Sequence, residues 1–370
     1  MRILVAPDKF KGSLGAREAA ECIAAGLRHP LPNATIDIVP VADGGEGTAT
    51  VISEARGGEW IMCDAHDPFA RPIQARYAWL REEPMAVMEM SEAAGVRASA
   101  SSQRDLLRAN TLGVGEMLLD AMKRGASEII LGLGGSVTHD GGFGLARALG
   151  FRFLNRDAVE LTGPVSDLLS LEHISRPPHL VLPRIVGAAD VRNPLLGERG
   201  ARTFGPQKGA TPEQLLLLEN ALARLADVVA RDLGCDFREK AGAGAAGGLG
   251  FGLLSFCGAR LQPGFDLVTE ILDLEAAVGR ADIVITGEGK LDRQTREGKA
   301  PGGVAGLARK LGKRVFALVG FAEDDATTGS LFDDVLVLAK PPITREESMA
   351  RTAELLRERA RELGELLARL

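Results

Sequence analysis

Arg2-Ile3-Leu4-Val5-Ala6-Pro7-Asp8 decides the fold: an apolar run of strand length, stopped by a proline, with an acid just beyond it. A run that is apolar at successive positions is the mark of a parallel strand buried on both faces. Ala16, Ala19, Ala20, Ile23, Ala24 and Leu27 follow at helical spacing, with Gly15 as a tolerable N-cap and Glu18 three residues on. Ile36 to Val39 reads as a second strand, and Asp43-Gly44-Gly45-Glu46-Gly47-Thr48 leads into a second helix. Strand, helix, strand, helix predicts a parallel sheet. The same grammar returns near the other end. Asp282-Ile283-Val284-Ile285-Thr286-Gly287 reads as strand then loop, Gly303 to Leu311 as helix, and Val315 to Val319 and Val335 to Leu338 as strands. Met349, Ala353, Leu356, Ala360, Leu363, Leu367 and Leu370 recur at helical spacing and mark an amphipathic closing helix, in which Glu365 and Arg369 are correctly ordered for an i,i+4 contact.

Between the ends the pattern is less regular. Short β-rich pieces from Trp60 to Met90 are interrupted by Pro68, Pro72 and Pro84. Thr111 can cap a helix running to Gly125, and Glu128 to Leu133 is a strand that leads into Gly134-Gly135-Ser136. Thr211-Pro212-Glu213-Gln214 starts a helix with a cap, an N1 proline and a glutamine at the capping-box position; it runs to about Gly234. The expected architecture is α/β: a doubly wound domain from residues 1–58 and 278–370, with a mixed α/β domain, 59–277, inserted between them. The 370-residue length suits two domains at ~150 residues each.

Composition narrows the function. A net charge of -6 and 4% aromatic residues disfavour a nucleic-acid or anionic-membrane surface and leave little for base stacking. Val315 to Ala322 is far too short to span a bilayer, and the N-terminus reads as a buried strand and not as a signal peptide. Cys22, Cys63, Cys235 and Cys257 form no C-x-x-C pair, and the five histidines make no zinc spacing, so a reduced, cytoplasmic chain is expected. Glycine is the outlier, 45 of 370 residues against an average usage of ~7%, without a period-three repeat.

Those glycines gather where strands end. No G-x-x-x-x-G-K-[ST] occurs, which excludes a P-loop. The one G-x-G-x-x-G, at Gly242, Gly244 and Gly247, follows Arg238-Glu239-Lys240 and not an apolar strand, so a dinucleotide fingerprint is unsupported and a closely packed turn explains it as well. Asp8-Lys9-Phe10-Lys11-Gly12-Ser13 puts two lysines at a helix entry, a phosphate-friendly place, though a solvated basic turn would look the same. Asp43 and Glu46 offer hard oxygen ligands among glycines, or merely favour a helix dipole. Gly132-Leu-Gly-Gly-Ser-Val-Thr-His-Asp-Gly-Gly142 has five glycines, two hydroxyls and an acid directly after a strand, the composition of a polyphosphate cradle. Asp190 follows the strand Ile185 to Ala188, Lys208 precedes the well-capped helix, and Thr286-Gly287-Glu288-Gly289-Lys290-Leu291-Asp292 with Gly298-Lys299 adds further acids and lysines. Backbone donors, lysines, metal-binding carboxylates and a base are the parts of phosphoryl transfer, so a nucleotide-dependent kinase is expected.

The same loops resemble the glycerate kinase type I family, which includes the bacterial glycerate 2-kinases. The matching stretches are Ala6-Pro-Asp-Lys-Phe-Lys-Gly-Ser-Leu14, Ala42-Asp-Gly-Gly-Glu-Gly-Thr48, Leu131-Gly-Leu-Gly-Gly-Ser136 and Asp140-Gly-Gly142. They continue with Asp190-Val191 and Asn193-Pro194, Phe204-Gly-Pro-Gln-Lys-Gly-Ala210, Gly242 to Gly250, and Thr286-Gly-Glu-Gly289 with Asp292. The resemblance runs in order from Ile3 to about Val304. It implies ATP- and Mg²⁺-dependent phosphorylation of D-glycerate at the 2-hydroxyl, a Rossmann-like domain beside a mixed α/β domain, and an active site in a cleft between them. Gly15, Glu92 and His139 depart from the family pattern, which leaves acceptor choice more open.

The expected roles follow from the loops. Asp190, with Lys9 and Lys11, forms the catalytic set: the carboxylate as base for the glycerate hydroxyl, the lysines neutralising phosphate or substrate carboxylate. Gly134, Gly135, Ser136, Lys208, Gly287 and Glu288 bind the nucleotide, and Asp43 and Asp292 hold Mg²⁺. Asp8, Asp43, Asp140 and Glu288 are alternatives to Asp190 as the base. A glycerate 3-kinase, a kinase of another small hydroxy or sugar acid, and a non-catalytic nucleotide-binding regulator are the rival functions.

Overall fold

In the computed structural model, which describes residues 1–95, 105–292, 295, 299–323, 330–340 and 342–369, the opening apolar run becomes strand β1 (Arg2–Val5). Its alternate side chains serve two different cores. Ile3 and Val5 pack with the helices Ala16–Arg28 and Thr352–Leu367, while Leu4 and Ala6 pack with Leu274–Arg280 and Ala300–Lys310. A strand covered on both faces in this way gains about 1.5–3 kcal/mol for each large apolar side chain withdrawn from water. That is why the run shows no polar alternation.

The chain divides into a terminal unit, Met1–Asp43, Thr50–Ala55 and Gly264–Leu370, and a central unit, Gly44–Ala49 and Arg56–Pro263. Strands are numbered in chain order through both. The terminal unit holds β1, β2 (Thr35–Ile38), β11 (Ile283–Leu291), β12 (Arg314–Ala322) and β13 (Asp334–Val337) in one all-parallel sheet of order β13-β12-β11-β1-β2. The chain leaves β1 toward β2 and comes back on the other side at β11, so the topological switch lies between β1 and β11. Ligands of open α/β sheets collect at the carboxyl ends of strands at such a switch. The helices Gly264–Ile271 and Leu274–Arg280 lie in this unit, where Phe265, Leu274, Ala277 and Val278 join its core.

Two sequence assignments change here. β11 does not stop at Gly287: Glu288, Lys290 and Leu291 continue the ladder opposite Val319, Phe321 and Ala322 of β12. The closing segment is two helices, Arg345–Ala350 and Thr352–Leu367, the first opened by a reciprocal Thr344–Glu347 capping box.

The central unit contains a six-stranded mixed sheet of order β10-β9-β6-β5-β4-β3. Its strands are β3 (Glu59–His66), β4 (Pro72–Leu80), β5 (Met85–Glu89), β6 (Glu128–Gly132), β9 (Arg184–Ala188) and β10 (Arg260–Gln262). β3 and β4 are antiparallel additions to a parallel set, and β7 (Arg152–Asn155) with β8 (Leu171–Ser175) is a separate antiparallel pair. The helix expected from Thr211 runs Pro212–Leu233 with its Thr211–Gln214 capping box formed. The four cysteines are free thiols, and no helix among the described residues is long and apolar enough to cross a membrane.

A close helix contact in the terminal unit gives a test of this packing. A Cβ at Gly26 would lie 2.3 Å from the Arg357 carbonyl oxygen and 2.7 Å from Ala360 Cβ. Alanine favours a helix over glycine by ~1 kcal/mol, yet at this position it must push two helices apart. Gly26→Ala is expected to lower thermal stability, by about 1–3 kcal/mol. A variant that melts higher would mean that the helices are not seated this closely.

Candidate active site

At the switch point of the terminal unit, two carboxylates are buried beside lysines. Asp8 follows β1, its backbone N–H donating to the Gly287 carbonyl at 2.9 Å, and it is only 6% exposed. Its Oδ1 accepts from the Lys9 N–H at 2.6 Å, and Lys9 Nζ lies 3.8 Å from Asp8 and 4.0 Å from Asp43. Burial pushes the Asp8 carboxyl up to about 7; the Lys9 charge opposes this and Asp43 reinforces it. Glu288, on β11, is equally buried and accepts from Thr295 Oγ1 at 2.7 Å. Burial lifts it to about 7 as well, with Thr295 and Lys299 pulling back and the charges of Asp8 and Asp292 adding to the rise. Asp292 lies just beyond β11, 3.4 Å from Lys290 Nζ and 3.6 Å from Lys299 Nζ. Carboxylates and lysines in this crevice suit a ligand that brings charge of both signs, such as a metal-bound anion. Of the expected residues, Lys9, Asp43, Glu288 and Asp292 stand in this unit together with Gly287, which is buried within β11, while Lys11 is exposed. Gly298 lies outside the described residues.

The central unit presents the glycine loop that follows β6. In its crest, Gly134-Gly135-Ser136, the middle residue is exposed and its neighbours are half-buried, while Val137 to Gly142 are buried, and the crest stands at the carboxyl end of a central strand. Asp140 anchors the buried part. Its carboxylate accepts from the Thr111 N–H (2.9 Å) and hydroxyl (2.8 Å), and from the N–H groups of Gly142 (3.2 Å) and Gly144 (2.9 Å). Burial raises its proton affinity and these donors lower it. Thr111 therefore does not act as the helix cap expected of it: its hydroxyl is spent on Asp140 and accepts from the Leu145 N–H at 3.0 Å. With its oxygens so occupied, Asp140 is a clasp for the loop.

Lys208 supports the loop from behind. Its Nζ donates to Ser136 Oγ at 2.8 Å and to the Thr138 carbonyl at 2.7 Å, and the side chain is buried. Burial lowers its proton affinity to about 7, with Asp140 opposing. Next to it, His139 is wholly buried and neither ring nitrogen has a partner among the described residues; burial, then the Lys208 charge, holds it down to about 3, so the ring is neutral. Thr138 Oγ1 is likewise buried and unpartnered. Unsatisfied buried groups cost about 1–3 kcal/mol each, and they mark a loop held in place against its own preference. The segment Ala246-Gly247-Gly248 backs it with three successive left-handed residues, φ 55°, 68° and 89°. A Cβ at Gly247 would stand 2.1 Å from the Thr138 carbonyl oxygen. The G-x-G-x-x-G stretch is thus a close-packing device, and not a dinucleotide fingerprint.

Asp190 is exposed just beyond β9, whose Ala188 pairs with Gly132 of β6, so its strand end adjoins that of the glycine loop. One residue escaped sequence reading. Glu89, at the end of β5 opposite Gly132, accepts from the N–H groups of Gly47 and Ala49 at 2.9 Å each and so fixes the Gly44–Thr48 turn. Its signal was an acid closing the wholly buried strand Met85–Glu89, the pattern used elsewhere to find Asp190.

Comparison with known proteins agrees with a kinase. The model of the glycerate kinase family matches residues 3–368. The chain is 38% identical to a glycerate kinase of Halalkalibacterium halodurans, over 98% of this chain and 97% of that one. It is 39% identical to glycerate 2-kinase of Escherichia coli, over 88% and 86% respectively. A crystal structure assigned to glycerate kinase 2 of Salmonella typhimurium LT2 superposes with a TM-score of 0.88 at 39% identity, covering 99% of this chain and 98% of that one. With matches of this extent across both units, the chain belongs to the glycerate kinase family and is a phosphotransferase.

Proposed function

We propose that the enzyme transfers the terminal phosphoryl group of ATP, with Mg²⁺, to the 2-hydroxyl of D-glycerate, giving 2-phosphoglycerate. The observation that carries the nucleotide part is the open crest Gly134-Gly135-Ser136 with a buried lysine behind it. Backbone N–H groups of a braced loop whose tip, Gly135, is exposed suit an anion that arrives with its own charge. The choice of the 2-hydroxyl rests on the Escherichia coli relative named glycerate 2-kinase.

The donor set fits Mg²⁺ as a companion of the nucleotide. Asp43 and Asp292 are partly buried hard oxygen donors, and among the described residues no three acidic, histidine or cysteine side chains converge into a cage of their own. Magnesium commonly takes one or two carboxylates and completes its shell with phosphate and water. Asp43 and Asp292 would hold it, and when bound it would neutralise phosphate charge. Lys9, between Asp8 and Asp43, and the exposed Lys11 would draw in the substrate carboxylate or the phosphate. Glu288, with Gly287 beside it, would line the nucleotide side of the terminal unit. Asp190 would accept the proton of the attacking hydroxyl. A second reading, favoured by their burial and raised proton affinity, gives that proton to Asp8 or Glu288.

A coupled assay with ATP, Mg²⁺ and D-glycerate tests the reaction, with product read through enolase. Signal without added phosphoglycerate mutase is expected; signal only with mutase would move the phosphate to the 3-hydroxyl, and none in either case would remove glycerate as the acceptor. Asp190→Asn and Asp8→Asn separate the candidate bases. The true base should lose about 10²–10⁴-fold in kcat with KM little changed, and near-normal kcat in Asp190→Asn would exclude it. The same Asp8 variant carries a stability signature. Folding raises the Asp8 proton affinity from the ordinary carboxylate value to about 7, so its contribution is full below about pH 4 and is lost as pH rises through about 7. Asp8→Asn should therefore melt above the wild type at pH 8, with the gap closing by about pH 4. An equal or lower melting temperature at pH 8 would contradict that burial.

A further inference from the structure

Lys208 has an unusual set of neighbours for a cation. Its buried amine meets two neutral acceptors, Ser136 Oγ and the Thr138 carbonyl, and no carboxylate among the described residues forms an ion pair with it. A neutral amine carries two N–H groups and one lone pair, so two acceptors satisfy it completely. An ammonium carries three N–H groups and a charge, and here one donor would be left buried without an acceptor and the charge without a contact ion pair. His139 is a neutral imidazole; Asp140 favours the charged amine through its field, but its oxygens are occupied by Thr111, Gly142 and Gly144 and it forms no ion pair with Lys208. Both acceptors of Lys208 belong to the loop whose crest is open, so an anion bound at Ser136 would approach the amine directly.

We propose that Lys208 is a proton-coupled anion sensor: uncharged in the free enzyme, its amine takes a proton from solvent when the nucleotide's phosphates settle on the Gly134–Ser136 crest. The inference rests on the proposed role of that crest in nucleotide binding. The step forms one N–H bond at the amine lone pair and consumes one proton from the buffer; nothing is oxidised or reduced. The third N–H then has the phosphate as acceptor and the charge has a counterion. The free enzyme's amine, with proton affinity lowered to about 7, lies where this exchange responds to physiological pH. Because the bound state holds more protons than the free state above that pH, affinity falls as pH rises through and beyond it. Lys208 also acts as a positioning residue, since its two hydrogen bonds tie the crest to Thr138.

The test is calorimetric titration of the intact enzyme with Mg²⁺ and a non-hydrolysable ATP analogue at pH 8, in buffers of different ionisation enthalpy. At this pH the phosphates are fully ionised, well above the ~6 of a second phosphate ionisation. The wild type is expected to take up most of a proton per nucleotide at pH 8 and far less at pH 6. Lys208→Arg, whose guanidinium is always charged, is expected to bind with no such uptake. Independently of any variant, the wild-type Kd should weaken toward about tenfold per pH unit above pH 7.5. Binding without proton uptake, uptake that persists in Lys208→Arg, or a Kd flat from pH 7.5 to 9 would overturn the inference and leave the proposed reaction standing. Failure of the wild type to bind the nucleotide at all would overturn both, the proposed nucleotide site first.

Discussion

The buried carboxylate of Asp140 is the constraint on which the shape of the glycine loop after β6 depends. It gathers donors from Thr111 ahead of one helix and from Gly142 and Gly144 at the start of another, and so joins Leu112–Lys123 to Phe143–Ala148. Breaking up such a set leaves an uncompensated charge in the interior, an effect of about 3–5 kcal/mol for buried ionic partners. With its far end clasped in this way, the loop after β6 has freedom only at its crest. Lys208 takes up that slack through Ser136 and Thr138, and Glu89 holds the neighbouring Gly44–Thr48 turn. The crest is thereby ordered before any ligand arrives, which is what transition-state stabilisation by backbone dipoles requires.

The two units store free energy of opposite sign in charge. The central unit buries an amine against neutral acceptors, whereas the terminal unit buries two carboxylates, with the Asp8 charge adding to the raised proton affinity of Glu288. Neither arrangement favours the folded state. Groups that destabilise their own fold are expected where chemistry needs them, and Asp8 lies just past the carboxyl end of β1 at the switch point, where α/β sheets place their ligands.

Much of this was legible in the residues themselves. The unbroken apolar runs at Ile3–Val5 and Ile283–Ile285 give the parallel terminal sheet because burial on both faces leaves no room for polar alternation. The strand–glycine–acid pattern located Gly134–Ser136, and the Thr211-Pro212 signal located its helix almost to the residue. Other features depended on tertiary contacts that linear order hides. Thr111 looked like a cap because caps and buried hydrogen-bond partners use the same residue types; only the fold brings Asp140 to it. Gly287 and Gly289 looked like a loop because glycine weakens strands, yet the pairing with β12 carries β11 through them. Lys208 was found as a phosphate-friendly lysine from its motif, but its burial and its bonds to residues some seventy positions earlier could not be read from spacing.

The central claim is that phosphates bind on a crest already shaped by Asp140 and Lys208. A crystal structure of the enzyme with Mg²⁺ and a non-hydrolysable ATP analogue tests it most directly. The account predicts phosphate oxygens within hydrogen-bonding distance of backbone N–H groups of Gly134, Gly135 or Ser136, with the Asp140 contacts to Thr111, Gly142 and Gly144 unchanged. Phosphates bound elsewhere with the crest bare, or an Asp140 clasp that breaks on binding, would contradict it.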